Sequence, residues 1–138
     1  MKIAYLAGVS FHRDLNLIVW QPRGILDELH VEKIISTLEE VEDEAEEAFD
    51  RFTDLSQLDQ VEVNFDFIFR LSLHRRAFYS GRPPIKSAFY VEDRATAELA
   101  LCHAVVTAES PLQVKVCLRK TDAAEWLDVS LSDLEVDR

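Results

Sequence analysis

The residues best suited to chemistry are scattered along this chain. Its four histidines, His12, His30, His74 and His103, share no metal-ligand spacing. Cys102 and His103 are neighbours, about 100° apart around a helix, and diverge too far to close on one ion. No serine, cysteine or threonine stands in a local motif with a base. There is no G-x-S-x-G, no C-x-x-C and no glycine-rich phosphate loop, and 3 glycines in 138 residues leave little material for one. The acids are many, and solvated surface carboxylates are their ordinary state in a chain of net charge -11. The sequence therefore assigns no catalytic residue, no metal ligand and no cofactor. An enzyme whose groups converge only in space remains a third reading, behind the two developed below.

The most distinctive local chemistry is cationic. From Phe67 through Val91 there is no acid, and Arg70, Arg75, Arg76, Arg82 and Lys86 all fall there, interleaved with Phe78 and Tyr79. Forked guanidinium donors beside aromatic platforms suit a phosphate or an acidic peptide. The structural alternative is equally concrete: cations late in a helix complement its dipole, and arginine stems cover apolar surface. Opposed to this stretch is an acidic one, Glu39 to Asp50, which holds no lysine or arginine. A basic patch on one copy meeting the acidic helix of another would give a homodimer that weakens with salt. Bulk acidity argues against nucleic acid and anionic membranes, which demand neutralisation of dense negative charge.

The elements that must position these groups read as one domain, residues 1–138. Its composition, 48% hydrophobic with 4 prolines, is that of a packed globule. A strand within Tyr5 to Phe11 pairs through His12-Arg13-Asp14 with a strand from Leu15 to Gln21, a connection short enough to demand an antiparallel hairpin. Leu15, Leu17 and Val19 on one face, with Ile18 and Trp20 on the other, place the second strand centrally, covered on both sides. Asp27 caps a helix whose Val31, Ile34, Ile35, Leu38 and Val41 recur at helical spacing. The acidic run forms its exposed end, where acids oppose the dipole and call for fraying or a cationic neighbour near Glu44 to Glu47.

A strand from Phe49 to Leu55, a loop, and a helix from Asn64 to Tyr79 closed by Gly81 follow. Ile85 to Val91 is the next strand, Asp93 caps a helix from Ala95 to Thr107, and Leu112 to Arg119 alternates as an edge or near-edge strand. Thr121 caps a last short helix through Leu127, and the polar tail from Ser130 leaves room for one more turn. The order ββαβαβαβα predicts an α/β fold: a mixed five-stranded sheet with an N-terminal antiparallel hairpin, the remainder parallel, and four helices. On the second helix, Phe65 and Phe69 share one face, and Phe67, Leu71 and Phe78 another. Either the helix is buried on two sides, the favoured reading, or one face lines a groove.

That order resembles the STAS domains, the family of the sporulation anti-anti-sigma factor, and their SpoIIAA-like bacterial relatives. The local match is Asp54-Leu55-Ser56-Gln57-Leu58-Asp59-Gln60-Val61-Glu62-Val63-Asn64-Phe65, against the family pattern D-L-S-x-V-x-F-M-D-S-S-G. Asp54, Leu55, Ser56 and, conservatively, Leu58 agree. Glu62 replaces Asp, Val63 the first Ser, Asn64 the phosphorylated Ser and Phe65 the Gly. The resemblance implies a switch in which phosphate at a helix start reshapes a partner surface. Asn64 takes no phosphate and reads as an ordinary N-cap.

The leading expectation is a non-enzymatic, SpoIIAA-like module that binds an unidentified protein partner through Asp54, Ser56, Glu62, Asn64 and Phe67, flanked by Arg70, Arg75, Arg76, Arg82 and Lys86. The rival is a carrier of a small apolar, lipid-like ligand, with its pocket under the Phe-rich helix. Two cysteines in apolar stretches and the lack of a long apolar run predict a cytoplasmic protein without a membrane span.

Overall fold

The computed structural model describes residues 7–45 and 48–136. Tyr5 and Leu6 of the expected first strand, Glu46 and Glu47 of the acidic run, and the last residues of the tail, Asp137 and Arg138, lie outside them. Val9–His12 (β1) and Leu17–Trp20 (β2) form the antiparallel hairpin. Their connection is a 3-10 turn, Arg13–Leu15, ended by Asn16 at φ 52°, so β2 begins at Leu17 and not at Leu15. Gly8 enters β1 at φ +73°, and a Cβ there would stand 2.5 Å from the Gln21 carbonyl oxygen. Only glycine fits that approach.

Asp50–Asp54 (β4), Ile85–Tyr90 (β6) and Leu112–Cys117 (β7) continue the sheet in parallel, in the order β1-β2-β4-β6-β7. Among the described residues the fold is α/β, a mixed five-stranded sheet with four helices. β4 takes the middle position expected of β2, which lies one strand from the edge, and β7 is an edge as its alternation demands.

Two short strands were not anticipated. Gly24–Asp27 (β3) and Leu58–Glu62 (β5) pair in parallel as a separate ribbon, with a register shift beside Gly24. The stretch read as a loop after Asp54 is therefore a turn into β5. The ribbon feeds both helices that follow it. After β3 comes Glu28–Ala45 (α1), whose Asp27 cap accepts from His30 N at 2.9 Å. After β5 comes Phe65–Tyr79 (α2), capped by Asn64 Oδ1 accepting from Phe67 N at 2.9 Å, with Gly81 just beyond its end at φ +78°. Arg94–Thr107 (α3) starts at Asp93, whose carboxylate accepts from Thr96 N at 2.9 Å. Lys120–Leu127 (α4) is preceded by Arg119 as its N-cap, with no side-chain cap, and Thr121 falls inside its first turn.

The helices divide between the two faces of the sheet. Leu17, Val19, Phe52, Ala88 and Cys117 pack against Ala123, Ala124 and Leu127 of α4 and against Leu134 of the final 3-10 turn, Leu131–Leu134. Each large apolar side chain buried there contributes roughly 1.5–3 kcal/mol. The opposite face is covered by α1, α2 and α3. Ile18 meets Ile34, Leu38 and Val41 of α1, and Val31, Phe67 and Ala100 of the three helices cluster with Leu26 of the ribbon and with Leu55 just beyond β4.

Candidate functional site

β4 and β6 place unusual residues under α1, α2 and α3. Arg51 and Thr53 of β4 and Ser87 and Phe89 of β6 share that face, with Arg51 beside Ser87 and Thr53 beside Phe89 in register. Arg51, Thr53 and Ser87 are all buried. Between this polar floor and the helices lies a cavity of about 110 Å³, walled by apolar side chains that include Ile35, Ile68, Leu71 and Ala100. Among the described residues its charged lining is Arg51 and Arg75, with His103 beside them and no carboxylate.

Behind the cavity wall the charges are tied into one network. Arg51 Nη2 donates to Glu42 Oε2 at 2.9 Å and to Phe49 O at 3.3 Å. Tyr79 donates through its hydroxyl to Glu42 Oε1 at 2.6 Å and accepts from Arg75 Nη2 at 2.9 Å. Arg75 Nη1 donates to Glu39 Oε2 at 3.0 Å, while His74 Nε2 meets Glu39 Oε1 at 2.8 Å. The Arg75 guanidinium also stacks 4.9 Å from the Tyr79 ring centroid. Glu42, Arg51, Arg75 and Tyr79 are buried. Two cations thus face two carboxylates, the pairing that buried charge requires. Two donors of Arg51, Nε and Nη1, are nevertheless buried without a hydrogen-bond partner.

These surroundings set protonation. Burial opposes charge on Arg51, but Tyr79 and Glu42 outweigh it and hold its pKa above the ordinary value. Burial, backed by Glu42, raises the Tyr79 phenol against the pull of both arginines, so it stays a donor. Burial, then Arg75 and Arg51, push His103 down to about 4. Ser72 Oγ gives its proton to Ile68 O at 2.6 Å and accepts from His103 Nδ1 at 2.7 Å. In that arrangement His103 does not withdraw a proton from Ser72, so the pair lacks the polarity of a nucleophile and its base. Among the described residues, no group of three or more His, Cys, Asp and Glu could hold a metal ion.

The partner surface expected from the sequence is dispersed. Asp54, Phe67 and Arg75 are buried and offer a partner no surface. Asp54 accepts from Ser56 N at 2.9 Å, Ser56 Oγ at 2.6 Å and Gln21 Nε2 at 2.9 Å, and pairs with Lys120 at 3.3 Å. Burial alone would raise its carboxyl, and these bonds lower it instead. The arrangement closes β4 into the turn before β5. Glu62 is exposed and accepts from Gln60 Nε2 at 3.0 Å, and Asn64 is the cap of α2.

The basic residues likewise go separate ways. Arg70 pairs with Asp66 at 3.1 Å in the open, and Arg76 Nη1 donates to Val106 O and Ala108 O at the end of α3. Arg82 bonds Asp43 at 2.9 Å and lies over the Phe78 ring, while Lys86 Nζ donates to Trp126 O on the other face of the sheet. The attraction between acidic and basic segments is therefore met inside one chain, through Glu39 with His74 and Arg75 and through Asp43 with Arg82. The end of α1 is not a wholly exposed acidic face, since Glu42 is buried. Nor is α2 buried on two sides: Phe65, Phe69 and Leu73 are about half exposed.

Arg51, Glu42, Thr53, Ser87 and His103 were missed as site residues. A signal was present for some of them. Glu42 follows Leu38 and Ile34 at i+4 and i+8, and Arg75 and Tyr79 continue the Phe67–Leu71 row at the same spacing, so charge sits on core-facing stripes. No family model matches the chain, and neither a curated protein nor a solved structure matches it.

Proposed function

We propose that the chain is a non-enzymatic, SpoIIAA-like binding module whose ligand site is the cavity beneath α1, α2 and α3. The cavity of about 110 Å³ carries this reading. A molecule bound there covers apolar lining that is otherwise in contact with water, which favours binding. The cavity is smaller than the apolar cavity of about 150 Å³ that holds benzene, so a compact organic molecule is the upper scale. Apolar walls with a few polar groups on the floor are the usual composition of a small-ligand site. The two free thiols, Cys102 and Cys117, support a reducing compartment, and with it a cytoplasmic module. Among the described residues no helix is long and apolar enough to cross a membrane.

Native mass spectrometry of the purified protein, with a thermal-shift panel of small aromatic and branched aliphatic molecules, tests the reading. The expected result is a small adduct released on activation, or a raised Tm with part of the panel. A bare chain that no member of the panel stabilises would remove the proposal.

The half-exposed row Phe65, Phe69 and Leu73 on α2 favours a second reading, in which the module also binds a protein or a second copy of itself. An apolar contact of this kind persists at high salt in sedimentation, whereas a charge-paired dimer dissociates.

A further inference from the structure

We propose that the cavity takes a small monocarboxylate with a compact apolar body, its carboxylate held by Arg51. The inference rests on the cavity reading above and adds the class of ligand. Its first observation is the state of the Arg51 guanidinium. The Arg51 side chain is 6% exposed and lines the cavity, with Nη2 occupied by Glu42 and Phe49. Nε and Nη1 have no acceptor. Buried donors are nearly always satisfied in folded proteins, so an acceptor delivered into this space meets a standing demand.

The second observation is the sign of the charge around that space. Arg51 and Arg75 line the cavity and pair with Glu42 and Glu39, and among the described residues no aspartate or glutamate lines it. A ligand carboxylate entering here meets two guanidinium groups and, among the described residues, no like charge in the wall. Arg75 is already engaged with Glu39 and Tyr79, so it supplies attraction, and Arg51 supplies the hydrogen bonds. A charge-assisted hydrogen bond from guanidinium to carboxylate is roughly twice as strong as a neutral one, which favours the acid over its neutral isostere. Thr53 and Ser87 flank Arg51 on the same floor. The volume, about 110 Å³, is below the roughly 150 Å³ of a closed cavity that holds benzene, so even with its mouth open to solvent it takes at most one six-membered ring or a branched chain of smaller bulk.

Titration calorimetry with benzoate, benzamide and toluene tests this on the full chain. The expected result is benzoate binding at least tenfold tighter than benzamide. Arg51→Met combined with Glu42→Gln removes both members of the ion pair, and should erase that preference while toluene still binds. Ser87→Asp retains Arg51 and Glu42 and places a resident carboxylate beside Arg51. It provides an independent test should the double variant not fold, and should also erase the preference. Toluene binding without any preference for benzoate, or a preference that survives these variants, overturns the inference and leaves the cavity reading standing. If none of the three molecules binds, both fall.

Discussion

Arg51 and Phe52 are consecutive in β4, yet they face interiors built by opposite rules. Phe52 points to α4, into a close-packed apolar cluster with Leu17, Val19, Ala88 and Leu127. Arg51 points to α1, α2 and α3, where the floor is polar, the charges are paired and a cavity remains. The first face behaves as a core whose worth scales with buried apolar area. The second spends buried charge and empty volume, neither of which stabilises a fold as well as close-packed hydrocarbon does. Close apolar packing and a charged, hollow interior thus occupy opposite sides of one sheet.

Paired substitutions at these two neighbours break the comparison most directly. Phe52→Ala removes a fully buried ring and should cost roughly 3–5 kcal/mol in chemical denaturation. Arg51→Met should cost a similar amount, roughly 3–5 kcal/mol, for a different reason: it strands the buried Glu42 carboxylate. The difference shows in the rescue. Adding Glu42→Gln to Arg51→Met should restore most of the loss, whereas no single change to a partner should restore Phe52→Ala. If Glu42→Gln worsens Arg51→Met, the network is not a compensated charge pair.

Acid separates the faces next. His103 on the cavity side has its pKa lowered from 6.5 to about 4. The unfolded chain therefore takes up this proton as pH falls below about 6.5, before the native state does. The neutral-histidine contribution is fully present above 6.5 and is lost progressively as pH falls through 6.5 towards 4. Its full size is about 3 kcal/mol, from 1.36 kcal/mol per unit. Urea midpoints measured between pH 7 and 4.5 should fall in the parent, and fall less in His103→Gln. Carboxylates held low, such as Asp54 and Asp93, add the same sign of dependence but in a more acidic window.

Local physics explains which of these features could be read in advance. The strands and helices were legible because periods of 2 and 3.6 survive without knowledge of their neighbours, and because Asp27, Asn64 and Asp93 cap helices with atoms three residues away. The ribbon was not. β3 is four residues long, β5 is largely polar through Asp59, Gln60 and Glu62, and their pairing joins residues more than thirty positions apart. The polar floor escaped for a related reason. Arg51 and Ser87 meet only through strand register, and Glu42 reads as one acid among many until α1 is laid on the sheet. The basic segment misled most, because its charges found partners within the chain, and all but Arg70, which pairs with Asp66 on its own helix, found them on elements distant in sequence.

Ser87 and Ala88 in β6 repeat the contrast with smaller effects and sharpen it. Ala88 is fully buried against α4, so Ala88→Val forces extra volume into a filled space and should cost about 1–3 kcal/mol. Ser87 borders the cavity, where added methyl groups find room. Ser87→Val should be neutral or stabilising by up to about 1 kcal/mol in the same urea titration. The adjacent positions differ in exposure by very little, and in the same strand they share backbone geometry. An equal cost at both would mean that the cavity closes by relaxation in solution, and the two faces would then be packed alike.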